Sequence, residues 1–151
     1  MAHFGSVDWH TPSGLVASLE KDGNVALEAT AATSTEGTNM LTYTVVRKGL
    51  YRLNAYLRVR VASDAATSHT AATFASYNNG TAITTATMGQ SGLTPGTLSL
   101  KGTAGTSVLL QSETVLCASG TNIVMTVNEA VTGAKTAGVG TYDIYFAIEA
   151  V

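Results

Sequence analysis

Between residues 49 and 63 the chain reads GLYRLNAYLRVRVAS, and every second side chain from Tyr51 to Val61 is apolar or small: Tyr51, Leu53, Ala55, Leu57, Val59 and Val61. Between them stand Arg52, Asn54, Tyr56, Arg58 and Arg60. A period of two is the spacing at which a β-strand sends successive side chains to opposite faces. A helix would mix the two sets around its circumference. The stretch therefore reads as a strand with one buried side and a second side that carries three arginines and a tyrosine.

The same period recurs along the chain. Ile123, Met125 and Val127 alternate with Thr126 and Asn128, and in the terminal TYDIYFAIEAV the residues Tyr142, Ile144, Phe146 and Ile148 alternate with Asp143, Tyr145, Ala147 and Glu149. MLTYTVV, residues 40–46, is rich in β-branched and aromatic side chains, as strands are. Asn79-Gly80 lies between the runs 74–77 and 83–87, a pair that tolerates positive φ and marks a hairpin. Asp22-Gly23 between the runs 15–19 and 25–29 predicts a second hairpin. In SVLLQSETVLCA the apolar phase slips near Ser112 and Glu113, and a β-bulge there would absorb the slip. Ser119-Gly120 supplies a further turn. No convincing helical period follows residue 20.

About eight short strands at roughly ten-residue spacing predict an all-β fold, an antiparallel sandwich or barrel. Its 151 residues suit one domain. We assign residues 14–151 to it and residues 1–13 to an extended arm, whose Phe4 and Trp9 either fray with the terminus or insert into a neighbouring subunit.

The formal charge is −2 with 12% charged residues, so no basic footprint for nucleic acid exists. The one cysteine, Cys117, excludes an intrachain disulfide and reads as a small buried hydrophobe. No apolar run approaches the ~20 residues needed to cross a bilayer, so no membrane partner is expected. MAHFGSVDWH has no basic segment followed by an apolar one, which predicts synthesis in the cytoplasm without a secretory signal. Low charge with abundant Ala, Thr, Gly and Val suits a surface packed against other subunits.

Reaction chemistry is hard to place. His3, His10 and His69 belong to no metal-binding pattern, so neither a metal nor another cofactor is expected. Asp8, Asp22 and Asp64 read as loop residues, and Asp143 and Glu149 as the outward side of the last strand. No serine sits in a nucleophile elbow, and no glycine-rich phosphate loop precedes a helix. The expectation is a non-enzyme. The arginine face reads either as a solvated strand side or as an interface. For the interface stands the placement of Tyr56 among arginines on one strand and of Tyr145 among carboxylates on another, since Tyr and Arg are enriched at interface centres and opposite charges fix register.

Taken together, GLYRLNAYLRVRV, SVLLQSETVLCASGTNIVMTVNEAV and TYDIYFAIEAV resemble the jelly roll of the tumour-necrosis-factor and complement globular-head type, as found in small bacteriophage virion proteins. The resemblance covers about residues 40–151. It implies a homotrimer packed around a three-fold axis, with Tyr51, Tyr56, Arg58 and Tyr145 as interface candidates. The domain with its short aromatic arm is similar to head decoration or cement proteins. The function so implied is that of a structural virion protein, binding the phage major capsid protein on the outer capsid as a trimer, with Phe4 and Trp9 reaching the lattice. The alternative is a tail or fibre component that binds a host receptor or glycan through loops such as SGLTPG or NNGT.

Overall fold

A computed structural model describes residues 14–25, 33–63, 68–88, 96–132 and 141–151. Nine strands run through them: β1 (Gly14–Val25), β2 (Thr33–Thr44), β3 (Gly49–Val61), β4 (Ser68–Asn78), β5 (Ile83–Thr87), β6 (Leu98–Ser99), β7 (Val108–Cys117), β8 (Asn122–Thr132) and β9 (Thr141–Ala150). They form two antiparallel sheets, in the orders β1-β9-β3-β7 and β2-β8-β4-β5, with β6 also on β4. The pairing is nested. β4 meets β5 and β6, β3 meets β7, β2 meets β8, and β1 meets β9. The chain is thus one long hairpin, turning at residues 79–82, whose ribbon rolls up so that β9 lies beside β3 and β8 beside β4. That is the antiparallel jelly-roll sandwich expected from the sequence. There are nine strands where about eight were expected, because the outgoing partner of β4 is split in two.

The turn at the tip owes its shape to its asparagines. Asn78 Oδ1 accepts the Gly80 N–H at 2.8 Å, and Asn79 Oδ1 accepts those of Thr81 and Ala82 at 2.9 and 3.1 Å. Gly80 has φ +97°, a conformation that favours a residue without Cβ. The hairpin predicted at Asn79-Gly80 is present, with a four-residue connection.

The core lies between the sheets. Tyr51, Leu53, Ala55, Leu57 and Val59 of β3 meet Ile123, Met125 and Val127 of β8 and Tyr142, Ile144, Phe146 and Ile148 of β9 there. Three expectations are corrected. Asp22-Gly23 is no hairpin turn, because β1 runs through it against β9: four steps from Lys21 to Val25 span only two from Ile144 to Tyr142, and the surplus bulges. The predicted bulge at Ser112-Glu113 is absent, since the β3–β7 ladder runs unbroken from Gly49↔Cys117 to Arg58↔Val108. Val61 is exposed, because the register shifts between Val59 and Val61 and turns it away from the core. The arm, with Phe4 and Trp9, lies outside the described residues.

Two polar clamps cross the interior. His69 on β4 bonds Glu129 Oε2 on β8 through Nε2 at 2.7 Å, and its Nδ1 meets Ser63 Oγ at 2.7 Å just past the end of β3. All three are buried. An imidazole fits between a hydroxyl and a carboxylate when one ring nitrogen accepts and the other donates. Gln111 on β7 makes the second clamp, accepting from the Thr73 hydroxyl on β4 and donating to Met88 O. Burying these groups is tolerable only because they are paired.

Glu129→Ala strands a buried imidazole N–H, and the urea midpoint should report a loss of at least about 2 kcal/mol. Cys117 is fully buried, and burial pushes its thiol up to about 11. A thiol reagent at neutral pH should therefore label it only as the protein unfolds, whereas rapid labelling of native protein would contradict the packing.

Candidate functional site: the outer face of the four-stranded sheet

A strand on the rim of a sandwich ordinarily turns apolar residues inward and polar ones outward. β7 does so only in part. Leu109, Gln111, Glu113, Val115 and Cys117 share the inward parity, with Leu109 partly buried against the core and Gln111, Val115 and Cys117 buried. Outward come Val108, Leu110 and Leu116, at 50%, 61% and 42% exposure, together with Ser112 and Thr114. The apparent phase slip in the sequence is therefore real chemistry on a regular strand: Gln111 and Glu113 stand inside, while Val108, Leu110 and Leu116 stand outside.

The registers place these residues in rows. Leu110, Tyr56 and Tyr145 are consecutive partners across β7, β3 and β9. Tyr145 is 40% exposed, while Tyr56 is half-buried between its neighbours. In the next row Val108, Arg58 and Asp143 are partners, and toward the other end lie Thr114, Arg52 and Glu149, then Leu116 and Leu50. Between them Ser112 Oγ donates to Asn54 Oδ1 at 2.8 Å.

The described charges on this face pair within the chain. Arg58 brings Nε and Nη2 to Asp143 Oδ2 at 3.0 and 2.6 Å, and Arg60 Nη1 reaches the other oxygen at 3.3 Å. Arg52 stands 3.6 Å from Glu149. Asp143 is buried although it points outward, because two guanidinium groups cover it. Partly exposed pairs of this kind contribute little to stability. Their effect here is to lay the arginines along the sheet and leave the Leu110–Tyr56–Tyr145 row uncovered.

Of the residues singled out from sequence, Tyr56, Arg58 and Tyr145 come together on this face. Tyr51 does not. It points into the core, where its hydroxyl donates to Arg47 O at 2.9 Å and its ring lies 6.0 Å from that of Tyr43. Burial, with Tyr43 beside it, pushes its phenol above the ordinary value. Leu110, Val108, Leu116 and Leu50 were missed. Counting parity backward from Val115 and Cys117 would have found all but Leu50. Among the described residues no three His, Cys, Asp or Glu side chains converge as metal ligands would.

No protein-family model and no curated protein matches the chain. Among solved structures it is similar to a carbohydrate binding module from Cellvibrio mixtus lichenase 5A in complex with cellotriose. The identity is 12% and the TM-score 0.37, over 91% of this chain and 98% of that one. So distant a likeness carries no argument about ligands, and the fold assignment rests on the strand pairing.

Glu113 faces inward from β7, and burial raises its carboxyl above the usual range. The folded chain then holds this proton more tightly than the unfolded chain, so the contribution of Glu113 to stability falls as pH rises through and above the ordinary glutamate value. Glu113→Gln removes that slope. Urea melts between about pH 4 and pH 7 should show the variant gaining on the wild type as pH rises.

Proposed function

We propose that the chain is a non-enzymatic structural subunit that assembles as a homotrimer through the outer face of β1-β9-β3-β7. In this reading it decorates the outside of a phage capsid and bridges neighbouring copies of the major capsid protein. The observation that carries the assembly is the exposed aliphatic and tyrosine row on β7, β3 and β9, with Leu50 and Leu116 at the far end of the same face. Exposed apolar residues grouped in this way mark interaction surfaces, and tyrosine and arginine are favoured at their centres.

Burying the remaining half of each of these side chains is worth about 1 kcal/mol apiece, half the usual value for full burial. Summed over such a face this is of the same order as the association cost of about 4–15 kcal/mol, and a ring of three makes three contacts for two associations, so the closing contact carries no further association cost. Among the described residues, Asp143 and Glu149 on this face are already paired in the chain, so covering them strands neither. The capsid role rests on the resemblance of residues 40–151 to small virion jelly rolls. It also rests on the low charge of the chain, and on an arm whose Phe4 and Trp9 would give three anchors per trimer. The protein then resides in the virion.

Sedimentation equilibrium should give three times the 15.5 kDa chain mass. Leu110→Arg should lower that to one chain mass while circular dichroism keeps its β signal. A wild-type monomer at all concentrations contradicts the assembly. Quantitative mass spectrometry of purified virions should find many copies on heads, and a few copies on tails would contradict the decoration role.

A further inference from the structure

The opposite layer carries a second feature, independent of the assembly face. At one end of the five-stranded sheet Thr44 of β2 partners Asn122 of β8, and Asn78 of β4 partners Ile83 of β5. Two residues along, Thr42, Val124, Ser76 and Thr85 are partners across the same four strands. Ser76, Asn78, Ile83, Thr121, Asn122 and Val124 line a cleft of about 310 Å³ there. That volume lies at the lower end of the range for small-molecule sites.

The lining is uncharged and its polarity is directional. Asn78 Oδ1 is held by the Gly80 N–H at 2.8 Å, and Asn122 Oδ1 by the Thr44 hydroxyl at 2.9 Å. The Thr121 hydroxyl donates to Ala118 O at 2.6 Å. Both carboxamide oxygens are thus engaged, while neither amide NH2 makes a hydrogen bond among the described residues. Two anchored donor groups sit beside two aliphatic side chains, and Ile83 is 73% exposed. Side chains already fixed lose little freedom when they bind.

We propose that this cleft binds a neutral saccharide. Sugar hydroxyl oxygens accept from the Asn78 and Asn122 amides, and the C–H face of a pyranose packs on Ile83 and Val124. No cation in the lining offsets the desolvation of a phosphate or carboxylate, and no aromatic platform is present to stack a base. The cleft opens on the sheet opposite the proposed trimer face, so assembly leaves it accessible, and its occupation does not depend on the oligomeric state.

The test is amide NMR of the full chain titrated with maltose, cellobiose and lactose at millimolar concentration, with glucose 6-phosphate as the charged control. At least one neutral disaccharide should move the signals of Ser76, Asn78, Thr121, Asn122 and Val124 saturably, and glucose 6-phosphate should move them less. Asn78→Asp and Asn122→Asp keep the oxygens that hold Gly80 and Thr44 while removing the donors, and each should weaken binding about tenfold. Ile83→Ser, at an exposed position, should weaken it as well. The proposal is overturned if no neutral disaccharide gives saturable shifts, if the shifts map to other residues, or if both aspartate variants bind as the wild type does. Should either variant fail to fold, the wild-type shift map decides alone.

Discussion

The position of Gln111 sets the parity on which much of this molecule depends. On β7 a carboxamide faces inward, accepts from the Thr73 hydroxyl of the opposite sheet and donates its N–H to Met88 O. A strand has only two faces, so fixing one residue inward fixes every other. The ten-pair ladder with β3 leaves no bulge to absorb a change of phase. Leu110 and Val108 are therefore turned outward, although each alone would be more stable in a core. A one-residue slip would bury them, but it would strand the Gln111 amide on the surface and the Thr73 hydroxyl without its partner.

The His69 clamp works in the same way near the start of β4. Ser63, His69 and Glu129 come from the end of β3, from β4 and from β8; the His69–Glu129 bond joins neighbouring strands of one sheet, and the His69–Ser63 bond ties that sheet to the end of β3 in the other layer. Interior polar groups specify a structure more sharply than oil does, since each has few acceptable partners. This sandwich uses them to hold its layers in register. On its outer face Arg58 and Arg60 pair with Asp143, and Arg52 stands by Glu149. Among the described residues, Val108, Leu110, Leu116 and Tyr145 remain uncovered beside them.

The legibility of these features in the sequence differed by element, for physical reasons. β3, β8, β9 and the Asn79-Gly80 hairpin were plain, because alternation and turn chemistry are local. β1 was misread at Asp22-Gly23, since a turn pair and a bulge have the same composition and only the partner strand decides between them. The first half of β2, STEGTN, carries no alternation, and it is a strand because β8 supplies a continuous ladder. Tyr56 and Tyr145 were legible as outward residues, but their adjacency belongs to the β3–β9 register. The His69 clamp was illegible. Its members lie 6 and 60 residues from the histidine, and a buried Glu129 fits the alternation of β8 only as an exception. Tyr51 was placed inward by its own phase, and that phase holds in the fold.

The central claim is that the outward aliphatic row of β7 is covered by sister copies. Methyl NMR in the presence of a soluble paramagnetic agent tests it most directly, with the exposed Ile83 and Val46 methyls as internal standards. The account predicts that the signals of Val108, Leu110 and Leu116 stay sharp while those of Ile83 and Val46 broaden. Equal broadening of all five would mean that the row faces water, and would contradict it.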